Sequence, residues 1–246
     1  MLAIFKKEIN QFFSSVTGYV AIILFLLANG LLLFVFPETS LLDTGYANLD
    51  PLFNLAPLIY LLLIPAITMR SFADEFKTGT MELLSTKPLT GWQIVLGKFW
   101  ASMLIVAISL LPTLVYYFAV RYLSVDAQQI DNGSIIGSYI GLLMLGATFT
   151  ATGIWSSSLT NNAMISLLIS LFTCFILYNG FDALSKIPAF TGSADYYLQM
   201  AGIKFHYTSI SRGVIDSRDM IYFISIIGLM LYLTKLSLHR KLWQNG

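Results

Sequence analysis

Residues 69–101 read MRSFADEFKTGTMELLSTKPLTGWQIVLGKFWA, and this stretch decides how the rest of the chain is to be understood. It lies between two long apolar segments. It carries Arg70, Asp74, Glu75, Lys77, Glu82, Lys87 and Lys98, a dense cluster in a chain with 11% charged residues. It also keeps helical apolar spacing through Phe72, Phe76, Met81, Leu83 and Leu84, which a solvated loop does not need. The reading is a folded segment at a membrane surface that docks onto a partner. Pro88 breaks it. Thr90 and Gln93 then form an N-cap and N3 pair, a capping box, with Leu89 and Ile94 as its hydrophobic staple. The expected order is a helix leaving the preceding span, a break at Thr78-Gly79-Thr80, a short helix near Met81 to Thr86, a turn at Lys87-Pro88 and a return helix.

The 246 residues are 57% hydrophobic, with net charge +1 and mean hydropathy +0.74. A soluble domain is nearer half apolar and about a quarter charged. The composition is that of an all-α polytopic membrane protein, and the charge gives no sign of nucleic-acid binding. The lone Cys174 lies in an apolar run and reads as a packing residue.

Working outward, six spans are expected near 19–36, 52–69, 99–120, 135–156, 163–181 and 220–236. Each approaches the ~20 apolar residues a bilayer crossing needs. Ahead of them, Leu2, Phe5, Ile9, Phe12, Phe13 and Val16 recur at spacings of three and four, with Lys6, Lys7, Glu8, Asn10 and Gln11 opposite. Residues 2–16 therefore read as an interfacial amphipathic helix or as a polar extension of the first span. The N-terminal run is too long for a signal h-region and is taken as retained. Pro57 and Pro65 interrupt the second span, as hinges or as packing features. Small residues from Gly141 to Gly153 place the fourth span inside the bundle. The connection 182–219 reads as short interfacial or re-entrant helices, with Ser217 as N-cap of the last span and Asp219 in its first turn. With both termini cytoplasmic, nine of the 14 Lys and Arg fall inside, which puts residues 70–98 in the cytoplasm.

Chemistry is sparse. The two histidines, His206 and His239, lie in polar connections, and neither H-E-x-x-H nor a G-x-x-x-x-G-K-[ST] phosphate loop occurs. The hydroxyls of Trp155-Ser-Ser-Ser158 have no activating histidine and read as helix-end caps. The inner parts of the spans carry essentially no ionisable residues, which argues against proton or ion coupling. The chain reads as a non-enzyme whose energy comes from elsewhere.

The stretch from Met69 to Pro88, continued by Trp92 to Phe99, resembles the cytoplasmic segment of ABC-2 type transporter permeases. That pattern runs R-x-x-A-x-E-x-x-x-G-T-x-E-x-L-x-x-x-P, then I-x-x-x-K. Arg70, Ala73, Glu75, Gly79, Thr80, Glu82, Leu84, Pro88, Ile94 and Lys98 stand at the matching places. The run Phe205 to Asp219 is similar to a subgroup that includes gliding-motility-associated permeases, the best match, and copper-enzyme maturation permeases. The resemblance implies a single ABC-2 transmembrane domain over 1–246 in the plasma (inner) membrane. It implies a homodimer, or a pairing with a related permease, and a separate ABC ATPase subunit that uses ATP; no cofactor is bound directly. It places a coupling helix at roughly Thr80 to Thr86, with Met81, Leu83 and Leu84 as apolar docking contacts and Glu82, Arg70, Glu75 and Lys77 as the charged ones. Glu82 equally suits a helix dipole, and Arg70 and Asp74 an i,i+4 pair with no partner. A non-transporting membrane scaffold for a motility or secretion assembly is the competing function.

Overall fold

The computed structural model describes residues 1–36, 41, 48–85, 88–124, 131–188 and 193–244. Most of the connection between the first two expected spans lies outside them, as do Thr86 and Lys87. Every regular element among the described residues is helical. The order is α1 (Leu2–Phe13), α2 (Val16–Phe34), α3 (Asp50–Thr68), α4 (Ala73–Lys77), α5 (Thr80–Ser85), α6 (Gly91–Leu110), α7 (Leu114–Leu123), α8 (Asn132–Leu159), α9 (Ala163–Phe175), α10 (Phe181–Ser185), α11 (Ser193–Met200), α12 (Ile203–Ser211) and α13 (Ser217–Gln244).

Among the described residues, five helical stretches are long and apolar enough to cross a membrane: Asp50–Lys77, Gly91–Tyr122, Asn132–Leu159, Ala163–Ser185 and Ser217–Lys241. A sixth is reached if α1 and α2 count as one span bent by 69°. The bend follows from local chemistry, because Ser15 is extended and its hydroxyl caps α2 through the Gly18 N–H. So α1 ends at Phe13 and is a separate helix rather than a polar extension of α2. Its apolar face is not given over to lipid alone. Ile4 is buried against α6, where Gly97 leaves room for it.

The third span is less regular than expected. Pro112 lacks an N–H, and a 3-10 turn at Leu111–Thr113 separates α6 from α7. The fifth span likewise passes through a π turn at Ile176–Gly180 before α10. Glycine content explains the position of α8, which packs against α3, α6, α9, α12 and α13. Its small residues admit different neighbours: Gly146 admits Val106 and Tyr60, Gly141 admits Tyr207, and Gly137 admits the Ile210 carbonyl.

At the end of the bundle away from α4 and α5, α12 is a buried element wedged against α8. Ile203, His206, Tyr207 and Ile210 on it are all nearly inaccessible. Here the role of Pro57 becomes clear. An i→i−4 ladder would bond the residue 57 N–H to the Phe53 carbonyl, and proline has none. The Tyr207 hydroxyl donates to that carbonyl at 2.6 Å instead. Burial, and then its neighbours Tyr178 and Tyr60, hold the Tyr207 phenol well above its usual pKa, so it stays a donor. Tyr207→Phe is expected to destabilise the protein by about 1–3 kcal/mol, the cost of an unsatisfied buried carbonyl. Pro57→Ala, which restores the missing donor, should recover most of that in the double variant. Unfolding in mixed micelles checks both.

The start of α13 corrects one expectation. Asp216, not Ser217, supplies the cap, accepting from the Arg218 N–H at 2.9 Å. Asp219 lies in the first turn of α13, as expected, and has a second role. It bonds His206 Nδ1 at 2.6 Å, while His206 Nε2 meets the Met200 carbonyl at 2.8 Å and Tyr222 stacks on the ring.

Candidate functional site

The chain between α3 and α6 folds back on the bundle and is held there by main-chain, ionic and apolar contacts. Met69–Phe72 turns the chain out of α3, and α4 follows. The Thr78 hydroxyl bonds the Asp74 carbonyl at 2.8 Å and ends α4. Gly79 then adopts φ +71, a left-handed conformation that other residues enter only at a cost. That glycine is the break between α4 and α5 at the expected position. The return helix α6 starts with the expected capping box, in which the Thr90 and Gln93 side chains each bond the other residue's N–H.

Ser157, near the end of α8, holds the turn. Its hydroxyl accepts from the Phe72 and Ala73 N–H groups at 2.9 and 3.0 Å and donates to the Met69 carbonyl at 2.9 Å. One side chain thus satisfies two orphan donors at the start of α4 and one carbonyl of the turn. Its neighbours Ser156 and Ser158 bond the Ser166 and Trp155 carbonyls. The hydroxyls of the serine run bond backbone groups, in keeping with the capping and packing expected of them.

Beside this turn lies a buried charge cluster. Lys98 is 1% exposed. Its Nζ reaches Glu8 at 2.6 Å, the Ser71 carbonyl at 2.5 Å and Glu75 at 3.0 Å, and lies 4.8 Å from the Phe72 ring centre. Lys7, on the solvent side, reaches Glu75 at 2.5 Å. Two lysines therefore balance two carboxylates drawn from α1, α4 and α6. Charges taken out of water are tolerated only when paired and hydrogen-bonded. The Glu75 Oε2 atom is buried without a hydrogen-bond partner. The cluster ties α1, whose sequence suggested a lipid-facing role, to the segment that carries α4 and α5.

An apolar layer completes the joint. Phe72, Met81, Ile94 and Val95 pack with Ile4 from α1, Ile154 from α8 and Leu238 from α13. The tail of α13 closes over it. Lys241 Nζ lies 4.0 Å from the Phe76 ring centre and bonds the Asn161 side chain at 2.9 Å, and Lys235 lies over Trp92. The Ser237 hydroxyl donates to the Ser158 carbonyl at 3.0 Å.

The residues expected to contact a partner are therefore divided. Arg70, Lys77 and Glu82 are exposed. Glu75 and Met81 are buried inside the chain, Glu75 in the ion cluster and Met81 in the apolar layer. The Leu83 and Leu84 side chains lie outside the described residues. No ion pair joins Arg70 to Asp74, because Arg70 stands in the turn and not on the helix of Asp74. Sequence reasoning missed Lys7, Glu8 and Ser157. The available signal was Lys98 itself. A lysine set among Val95, Phe99 and Ala101 in a helix must find a carboxylate or lose its charge.

The geometry describes a helical membrane protein whose charged end presents two short helices on a base of paired charges and packed apolar side chains. A family model described as ABC-2 family transporter protein matches residues 2–189, well over half of the chain. The chain belongs to this family of ABC transporter permeases, which implies a membrane setting and an ABC ATPase as partner. A search among curated proteins finds no match.

Proposed function

We propose that the chain is the permease subunit of an ATP-driven machine and that a separate ATPase subunit docks on α4 and α5. The observation that supports this best is the division of the segment: Lys77 and Glu82 outward, Glu75 and Met81 anchored within. A docking surface transmits a push only if its base does not yield. The base here is tied to α1, α6, α8 and α13, so displacement of α5 carries those helices with it.

The excess of Lys and Arg at this end makes it the cytoplasmic side of the plasma (inner) membrane, with both termini inside. The subunit works as a dimer, with a second copy or a related permease. Its task is export or mechanical transmission across the membrane. The resemblance of Phe205 to Asp219 to gliding-motility permeases points to that setting; this run lies beyond the matched residues. The copper-enzyme alternative loses ground, since both His206 ring nitrogens are already engaged.

The test is co-purification from detergent, with mass spectrometry of bound subunits. The wild type is expected to retain an ABC ATPase. The double charge reversal Lys77→Glu, Glu82→Lys is expected to lose it with an unchanged melting temperature. Equal retention by both proteins, or none by either, rejects the docking assignment and moves the scaffold reading ahead.

A further inference from the structure

The turn that joins α8 to α9 and the neighbouring α4 leave between them a cavity of about 350 Å³. Ligand sites run to roughly 300–1,000 Å³. Arg70, Asp74 and Lys77 line one side of it, and Asn161, Asn162 and Met164 the other. Apart from the half-buried Asp74, these six residues are exposed. The lining is rich in donors. Among the described residues Arg70 and Lys77 form no ion pair. The Asn161 side-chain oxygen accepts from Lys241 Nζ at 2.9 Å, and that of Asn162 accepts from the Met164 N–H at 2.9 Å. Each asparagine therefore has its NH₂ group left to donate. Against these four donor groups stands one carboxylate, Asp74. Two cations and one carboxylate leave a net positive charge, and Lys241 adds to it from the Asn161 side. Such a lining calls for an anion with several acceptor oxygens.

Its position adds an apolar requirement. The cavity lies where the span Asn132–Leu159 turns into the span Ala163–Ser185, and Arg70 stands just past the end of α3. That is the depth of lipid headgroups, at the edge of the ~30 Å hydrocarbon core. Met164 lines the cavity and also begins an apolar stripe on the outer face of α9. Met164, Leu168 and Phe172 follow one another at intervals of four and are 62%, 63% and 65% exposed. Polar and apolar surfaces thus meet at Met164.

We propose that this cavity seats the headgroup of an anionic phospholipid from the adjoining leaflet, with phosphatidylglycerol as its simplest form. Arg70 takes the phosphate, the asparagine NH₂ groups and Lys77 meet its remaining oxygens and the glycerol hydroxyls, and an acyl chain follows the α9 stripe. Basic pockets between spans at a membrane border suit such headgroups. Phosphatidylethanolamine and phosphatidylcholine each bring a cation with their phosphate, so they leave the excess positive charge in place. An acidic protein segment would answer the cations but not the stripe that continues from Met164. A lipid held here bridges the turn after α3 to the start of α9. The assignment rests on the membrane reading. The ATPase is assigned to Lys77 and Glu82 and the lipid chiefly to Arg70, so the two can fail separately.

The test uses the full chain purified without an ATPase and exposed in mixed micelles to equal amounts of the three lipids, with bound lipid read by native mass spectrometry. Phosphatidylglycerol is expected to be retained preferentially. Arg70→Gln is expected to reduce its retention by about tenfold, the loss typical of one charge-assisted hydrogen bond. The same variant should leave phosphatidylethanolamine and phosphatidylcholine unchanged, a selectivity that misfolding does not produce. It should also keep the wild-type melting temperature, since Arg70 is exposed and unpaired among the described residues. Lys6→Gln removes an exposed cation outside the cavity and should change nothing. Equal retention of the three lipids overturns the proposal. So does full retention of phosphatidylglycerol by Arg70→Gln, and loss of a co-purifying ATPase in that variant would then give the cavity to the protein partner. Soluble glycerol phosphate binding as tightly as the intact lipid overturns the lipid source.

Discussion

Lys98→Met is expected to be among the most destabilising single substitutions in the protein, at about 3–5 kcal/mol. The reason is not the lost attraction alone. Lys98 is the only buried cation of its cluster, and its removal leaves Glu8 and Glu75 to share Lys7, which is 46% exposed. The cluster then carries an unbalanced negative charge in a region of low dielectric, and the Ser71 carbonyl loses its donor. Methionine keeps the length and apolar stem of lysine, so the loss measures charge and not volume. Adding Glu75→Gln restores neutrality and is expected to recover a large part of the loss. Thermal unfolding in detergent of the two single variants and the double variant closes the cycle. Additive losses would show that the carboxylates are independent of Lys98.

Gly153→Ala is the second large effect, and its sign comes from comparing two terms. Alanine in a helix interior gains about 1 kcal/mol over glycine. A Cβ at position 153, however, would stand 2.9 Å from Thr68 Cβ and 3.2 Å from Ser170 Oγ, and press on the Thr68 hydroxyl. That hydroxyl is committed to the Ile64 carbonyl at 2.8 Å and cannot swing away without losing its bond. Overpacking of this kind costs roughly 1–3 kcal/mol or more, so the substitution is expected to destabilise and to part α8 from the end of α3. Gly228 provides the contrast. Nothing lies within 4 Å of a Cβ there, and Gly228→Ala is expected to stabilise slightly. Melting temperatures moving in opposite directions would confirm the comparison.

How much of this was legible beforehand follows the range of each interaction. The capping box at Thr90 and Gln93, the break at Gly79 and the last five expected spans depend on contiguous sequence, and they stand where the pattern placed them, whereas the first span passes only together with α1 as a bent pair. The small residues of α8 announced its central place. The partners of Lys98 did not announce themselves, since Glu8 is 90 residues away and is brought close only by the fold. The same holds for Ser157, whose role depends on where the Met69–Phe72 turn lands, and for the inward side of Met81. That the 182–219 connection forms short helices was readable from its mixed composition. The bond from α12 to the carbonyl freed by Pro57 joins positions 154 residues apart and was not.

The breaks in the spans have a mechanical meaning. α3 contains two prolines, the third span is interrupted at Pro112 and the fifth by its π turn. Such points are where helices bend. By contrast α8 and α13 each run 28 residues without proline, about 42 Å at 1.5 Å per residue. Both also touch the two ends of the bundle. α8 holds the α4 turn through Ser157 and receives α12 at Gly137 and Gly141. α13 covers Phe76 with Lys241 and grips His206 with Asp219. The stiff members of the frame are thus not the helices that carry α4 and α5. On the docking proposed above, a force applied at α5 would bend α3 at its prolines but shift α8 and α13 whole, so these two struts would deliver its displacement to the opposite end of the bundle.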